Sequence, residues 1–127
     1  MIFDSQRVLI VDDDHLVADT LGLIFKRSGY NALTCYSADQ ALTQAREFQP
    51  NLLLCDITMP GRDGLALAQD VVSELPSCRI LVLTGFQGNL HRVREHTDRF
   101  EKPVGLLSKP CQPAELLREA NAMLANA

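Results

Sequence analysis

The stretch Asn51–Gly64 (N-L-L-L-C-D-I-T-M-P-G-R-D-G) constrains this chain more than any other. Leu52–Cys55 are consecutive apolar residues, bounded upstream by the turn signal Pro50-Asn51. A run this short and unbroken reads as a strand buried on both faces, the kind found in parallel sheets. A lone carboxylate, Asp56, ends it, and Pro60, Gly61 and Gly64 then break the chain. Open α/β sheets place their sites in the crevice beyond the carboxyl ends of the strands. Asp56 therefore sits where chemistry is done, and the other strands decide what surrounds it.

Arg7–Val11 (R-V-L-I-V) is a first buried strand, running straight into Asp12, Asp13 and Asp14. A helix follows from about Asp14 to Ser28, with Asp14 as its cap, Gly29 at its end and Val17, Leu21, Ile24 and Phe25 facing inward. Asn31–Tyr36 is a second strand. Ser37 is placed to cap a helix over Ala38–Phe48, with Ala41, Leu42 and Ala45 inside. After the Asp56 strand comes a helix over Gly64–Leu75, stopped by Pro76. Arg79–Thr84 is a fourth buried strand. A helix near Asn89–Arg99 and a short strand over Val104–Leu107 come next. Pro113 opens a last helix to about Leu124, with Leu116, Leu117, Ala120, Met123 and Leu124 apolar.

Strand and helix thus alternate five times, at spacings too long for hairpins. The pattern predicts an α/β fold: a five-stranded parallel sheet with helices on both faces. With 127 residues and no linker, repeat or low-complexity tract, the expectation is one domain over residues 1–127.

Composition narrows the function. Hydrophobic residues are 46% and charged residues 22%, which is ordinary for a globular chain. A net charge of −4 supplies no basic field for a phosphate backbone, so direct nucleic-acid binding is not expected. No apolar run approaches the roughly 18–20 residues of a membrane span. The opening M-I-F-D-S-Q-R lacks the layout of a signal peptide, so a cytoplasmic location is expected. Cys35, Cys55, Cys78 and Cys111 contain no C-x-x-C pair and read as reduced, mostly buried thiols. His15, His91 and His96 have no zinc spacing with them and read as surface residues.

The chemistry lies at the strand ends. The first strand ends in Asp12-Asp13, the third in Asp56, the fourth in Thr84, and the fifth precedes Lys109. A parallel sheet brings all these ends to one edge. Carboxylates gathered there repel one another. A hard divalent cation, Mg2+ above all, relieves that repulsion and prefers such oxygen ligands. It would also keep Asp56 ionised and oriented as a nucleophile. A carboxylate attacking phosphorus gives an aspartyl phosphate. Lys109 and the Thr84 hydroxyl would supply countercharge and a donor to the phosphoryl oxygens. Gly85, small, leaves space over the site. Asp14 reads as a helix cap and Asp63 as a turn or cap residue.

This constellation resembles the receiver domain of two-component response regulators, a CheY-like flavodoxin-type fold. The resemblance runs from V-L-I-V-D-D-D through D-I-T-M-P-G-R-D-G and L-V-L-T-G to L-L-S-K-P. It implies that Asp56 is the phosphoacceptor and that Asp12 and Asp13 organise Mg2+. The backbone carbonyl of Thr58 would be a further metal ligand. Thr84 would be the hydroxyl residue that follows the phosphoryl group, and Lys109 its salt-bridging lysine. Pro110 would follow a cis peptide bond. The partners implied are a sensor histidine kinase or histidine phosphotransfer protein upstream and a protein or output domain downstream, with homodimerisation compatible with either. Such a domain catalyses its own phosphoryl transfer and dephosphorylation but is otherwise no enzyme.

Two features depart from the family. Leu106 stands where an aromatic residue usually reports the state of the hydroxyl residue. The segment between Thr84 and Lys109 is longer than usual and richly charged, which predicts an altered fourth helix or an extended loop, with Phe86 either in the core or over the site. A second function therefore stays open: a receiver-like docking or dimerisation module no longer controlled by phosphorylation. A phosphatase with a nucleophilic aspartate is a third, but it would want a carboxylate where Thr58 stands. Dinucleotide binding is disfavoured, because the turn after the first strand is acidic and has no G-x-G-x-x-G.

Overall fold

The computed structural model describes residues 6–59, 61, 63–85, 94–95 and 100–125. Five strands form one sheet: β1 (Arg7–Val11), β2 (Asn31–Cys35), β3 (Leu52–Asp56), β4 (Arg79–Thr84) and β5 (Gly105–Ser108). Their order is β2-β1-β3-β4-β5, and every pairing is parallel. Among the described residues, four helices with defined limits accompany them: α1 (His15–Arg27), α2 (Ala38–Phe48), α3 (Gly64–Glu74) and α4 (Pro113–Ala125). The sheet reverses its winding between β1 and β3, and this switch point opens the crevice in which such sheets carry their sites.

Two layers of core lie on opposite faces of the sheet. Phe25 from α1 and Leu116, Ala120 and Met123 from α4 pack on Val8, Ile10, Leu52, Leu54 and Leu81. Ala38, Ala41 and Ala45 from α2 and Leu67, Ala68 and Val71 from α3 pack on Leu9, Val11, Leu53, Cys55 and Val82. Alternate residues of β1, β3 and β4 thus serve opposite layers, which is why these strands are apolar throughout rather than alternating.

The helix limits agree with the expected ones to within a residue, because caps set them. The Asp14 side chain accepts from the amides of Leu16 and Val17, Ser37 from that of Gln40, and Asp63 from that of Ala66. Gly29 closes α1 at φ 94°, a conformation that glycine adopts without steric cost.

The inner face of α1 differs from expectation. Its centre is Ala18, Gly22 and Phe25, whereas Val17, Leu21 and Ile24 are half-buried on the flanks. A Cβ on Gly22 would stand 2.7 Å from Thr34 Cγ2, so the helix lies too close to β2 for large side chains to face it directly. Small residues at Ala18 and Gly22, with larger ones beside them, make the apolar stripe look rotated in the sequence. Arg79, the first residue of β4, is a buried cation that strand patterning does not reveal. It is 6% exposed, and its Nη1 donates to the Met123 carbonyl at 2.7 Å. A cation there serves the unpaired carbonyls of the last turn of α4.

Of the helix expected over Asn89–Arg99, Arg94 and Glu95 are described and are helical. The rest of it, with Phe86, His91 and His96, lies outside the described residues. No described helix is long and apolar enough to cross a membrane.

Cys35, Cys55 and Cys78 are buried and free, and Cys111 is half-buried. Burial pushes the Cys35 thiol up to about 11 and the Cys78 thiol up to about 12. Burial raises Cys55 too, with the Asp56 charge adding to it. Thiolate is the reactive form, so these three should be inert. Iodoacetamide at neutral pH is expected to modify Cys111 first and leave the other three intact in the native protein. Mass spectrometry after a short exposure checks this; equal labelling of all four would contradict the packing described.

Candidate functional site

The residues that the strand-end pattern singled out emerge at the carboxyl edge of the sheet. Asp12 and Asp13 follow β1, Asp56 ends β3, Thr84 ends β4, and Lys109 follows β5. The carboxylates of Asp12, Asp13 and Asp56 each offer an oxygen, and these atoms lie within 4.8 Å of one another. They come from strands that are direct neighbours, with Val11 opposite Cys55 in register. One further step along each strand brings the acids side by side.

Local hydrogen bonds orient each acid. Asp12 is 2% exposed, and its Oδ1 accepts from the Asp14 amide at 3.0 Å. Asp56 Oδ1 accepts from the Thr58 amide at 3.1 Å. The other oxygen of each faces Lys109, whose Nζ donates to Asp56 Oδ2 at 2.6 Å and to Asp12 Oδ2 at 3.3 Å. Asp13 is exposed. Thr84, 3% exposed, lies opposite Ser108 in register. Its carbonyl accepts from the Lys109 amide at 2.7 Å, which holds the root of the lysine at the edge. The Lys109-Pro110 peptide bond is cis.

The charges do not balance within the cluster. Three carboxylates face one ammonium, leaving two negative charges without a counterion among the described residues of the cluster. At such separations two carboxylates repel by roughly 3–4 kcal/mol for an effective dielectric constant near 20. Burial raises the Asp12 carboxyl above its ordinary range, and the Asp56 charge adds to this. The bonds from Asp14 and Lys109 offset only part of it. Burial pulls Lys109 down, but the hydrogen bond and charge of Asp56, then of Asp12, hold it above its ordinary value. Lys109 therefore stays charged at neutral pH, and its contribution to the bridge is lost as pH rises through that raised value. An oxygen-lined, overcharged cluster of this kind fits a hard divalent cation.

Leu106 is half-buried and packs with Phe100 and Val104 against the layer of core that holds α2 and α3. Sequence reasoning did not find an aromatic pair on the described part of the rim. His15 stacks on Tyr36 with ring centroids 3.8 Å apart, and the Tyr36 hydroxyl donates to Asp19 Oδ1 at 2.6 Å. The signal was present: His15 follows the β1 acids, and Tyr36 follows the end of β2. The strand-end rule, applied to β2, would have found the second of these.

A parallel sheet in this order, with acids at its switch point and a lysine from the last strand reaching them, defines a receiver-type signalling module. Residues 8–121 match the family of the response regulator receiver domain, and the chain belongs to that family. It is 30% identical over 120 residues to the regulatory protein VanR of Enterococcus faecium, covering 94% of this chain and 50% of that protein. It is 31% identical over 126 residues to the DNA-binding response regulator MtrA of Mycolicibacterium smegmatis, again covering 94% of this chain and 50% of the relative. The chain thus spans about half the length of these curated relatives. Among solved structures, a CheY-like receiver domain protein from Methanospirillum hungatei superposes with a TM-score of 0.88 at 25% identity, covering 97% of this chain and 96% of that one. The chain is a receiver module of two-component signalling.

Ionised Asp12 is a cost to the metal-free fold. Its raised pKa means that stability is gained as pH falls through the window just above the ordinary carboxylate value and is lost as pH rises through it. Asn at position 12 keeps an acceptor for the Asp14 amide and removes the charge. Asp12→Asn is therefore expected to raise the melting temperature at neutral pH without divalent metal, by about 3–5 °C for roughly 1 kcal/mol. Calorimetry in chelator checks this; a lower melting temperature would contradict the electrostatic account.

Proposed function

We propose that this chain accepts a phosphoryl group on Asp56, in a Mg2+-dependent transfer from a phosphohistidine on a sensor kinase or phosphotransfer protein. The observation that carries the reading is the meeting of Asp12, Asp13 and Asp56 with Lys109 at one sheet edge. The overcharged cluster, with Asp12 at its buried end, suits Mg2+, which Asp12, Asp13, Asp56 and the backbone carbonyl of Thr58 would hold. When bound, Mg2+ would neutralise the acids and the phosphoryl oxygens and so permit an anion to approach an anion.

The chain's own residues do the rest. The Thr58 amide fixes one Asp56 oxygen and leaves the other toward Lys109. That oxygen attacks phosphorus in line. The new O–P bond forms as the donor's N–P bond breaks, and the electron pair leaves on the imidazole nitrogen. Lys109 moves its charge from the carboxylate to the phosphoryl oxygens, a charge-assisted contact. Thr84, at the end of β4, would donate its hydroxyl to the same group. Dephosphorylation occurs at the same site: water attacks phosphorus, the Asp56 O–P bond breaks, the carboxylate takes the electron pair and inorganic phosphate leaves, so the domain catalyses only its own phosphorylation and dephosphorylation.

The added charge biases an element with two arrangements. The segment between Gly85 and Gly105, proposed for that element, lies largely outside the described residues, and Leu106 stands in the position where an aromatic residue would otherwise report on Thr84. The output is a protein-binding surface or an attached output domain, in the cytoplasm, with no direct contact to nucleic acid from this domain. We treat residues 1–127 as one domain. A docking or dimerisation module independent of phosphorylation is the alternative, and Leu106 is the residue that favours it.

Titration with Mg2+ and beryllofluoride, an acyl-phosphate mimic, followed by amide NMR, tests the reading. Shifts are expected around Asp13, Asp56, Thr84 and Lys109, and none in Asp56→Ala. No response at saturating Mg2+ would favour the alternative. Lys109→Ala is expected to keep Mg2+ binding but to slow phosphoryl uptake by about 10²-fold, the usual cost of removing one transition-state donor. Radiolabel transfer from a phosphorylated donor measures it.

A further inference from the structure

The amino end of α3 rests directly on the backbone of Asp56. A Cβ on Gly64 would stand 2.1 Å from the Asp56 carbonyl oxygen, 2.9 Å from its carbonyl carbon and 3.1 Å from Ile57 Cα. All three are backbone atoms, so no side chain can swing aside to make room. The Gly64 amide also donates to the Ile57 carbonyl at 2.9 Å, closing the loop from Asp56 to Gly64 at its base. Cys55 Sγ lies 3.6 Å from the Gly64 carbonyl, so strand and helix are in contact on both sides of this point.

Ile57 and Thr58 are the first two residues after Asp56 in that closed loop. The Ile57 amide is held by the Leu83 carbonyl at 3.1 Å. The Thr58 amide holds Asp56 Oδ1. Behind Gly64, Leu65, Leu67, Ala68 and Val71 anchor α3 in the core. A displaced α3 would disturb that packing, whereas Thr58 is exposed and can move. Strain introduced at Gly64 should therefore be released in the Asp56–Thr58 turn rather than in the helix.

We infer that Gly64 is a positioning residue for the acid cluster. Its missing side chain lets α3 close the loop tightly enough to set the Asp56 carboxylate and the Thr58 backbone. This inference rests on the Mg2+-dependent reading of the site, and it adds a determinant that is neither a ligand nor in the acid cluster.

The test compares Gly64→Ala with Gly22→Ala in the whole chain. Gly22→Ala also forces a close contact, 2.7 Å to Thr34 Cγ2, but on β2 and away from Asp56. Both variants should melt below wild type. In metal-free protein, Gly64→Ala alone should shift the Thr58 amide upfield and speed its hydrogen exchange, as expected for a lost bond to Asp56. With Mg2+ added, the folded-state amide shifts of Gly64→Ala should report an affinity about tenfold weaker than wild type, the lower end of what outer-shell changes cost. Gly22→Ala should match wild type in affinity.

An unchanged Thr58 amide in Gly64→Ala, or equal loss of affinity in both variants, would overturn the inference. So would a Gly64→Ala chain with no folded spectrum even at low temperature, because the strain would then not be local. Failure of wild type itself to respond to Mg2+ would instead remove the proposed function, and the metal-free Thr58 amide would still decide the role of Gly64.

Discussion

Lys109 Nζ and Asp56 Oδ2 meet at 2.6 Å across the carboxyl edge of the sheet, and the arrangement of the site depends on the features that make that contact possible. The two residues leave strands separated by β4. Strand spacing is about 4.8 Å, so the backbones stand roughly 10 Å apart. A lysine bridges this because its stem is long and flexible, and because the Thr84 carbonyl holds its amide in place. Shorter or unanchored cations would leave Asp12 and Asp56 facing each other with no counterion. The pair is only partly shielded from water, so its value lies in placement more than in stability.

The sheet gathers acids that would not otherwise tolerate one another. β1 and β3 are adjacent and parallel, so residues that continue them in the same register emerge together. The fold holds them there by two-faced burial of strands such as Leu52–Cys55, each residue of which is at most 1% exposed. Stability stored in the core thus supports an edge that is electrostatically unfavourable when metal-free. Functional sites commonly carry such local cost. The raised pKa of Asp12 marks where it falls.

Much of this was legible in the chain. Strand-end residues stand out because the apolar runs are short, unbroken and followed at once by Asp12, Asp56 and Thr84. Helix limits stand out because Asp14, Ser37 and Asp63 have the chemistry of caps and sit directly before the helices they cap. The inner face of α1 was displaced by one residue, because periodicity weighs Val17, Leu21 and Ile24 above Ala18 and Gly22. Hydropathy measures what a side chain gains from burial and is blind to how closely a helix approaches its sheet. Arg79 was missed for a related reason: its partner is a backbone carbonyl at Met123, which no pattern of side chains announces.

The sequence by itself determined which residues lie at strand ends, because alternation of strand and helix and the punctuation between them are local properties. It determined the class of chemistry as well, since three acids and one lysine have few uses together. Only the tertiary structure decided the distances. That Asp12 and Asp56 share one lysine, that Gly64 touches the Asp56 carbonyl and that His15 stacks on Tyr36 depend on strand order and helix seating. Those are set by how volumes fill the two layers of core, and they involve residues too far apart in the chain for any local pattern to carry the information.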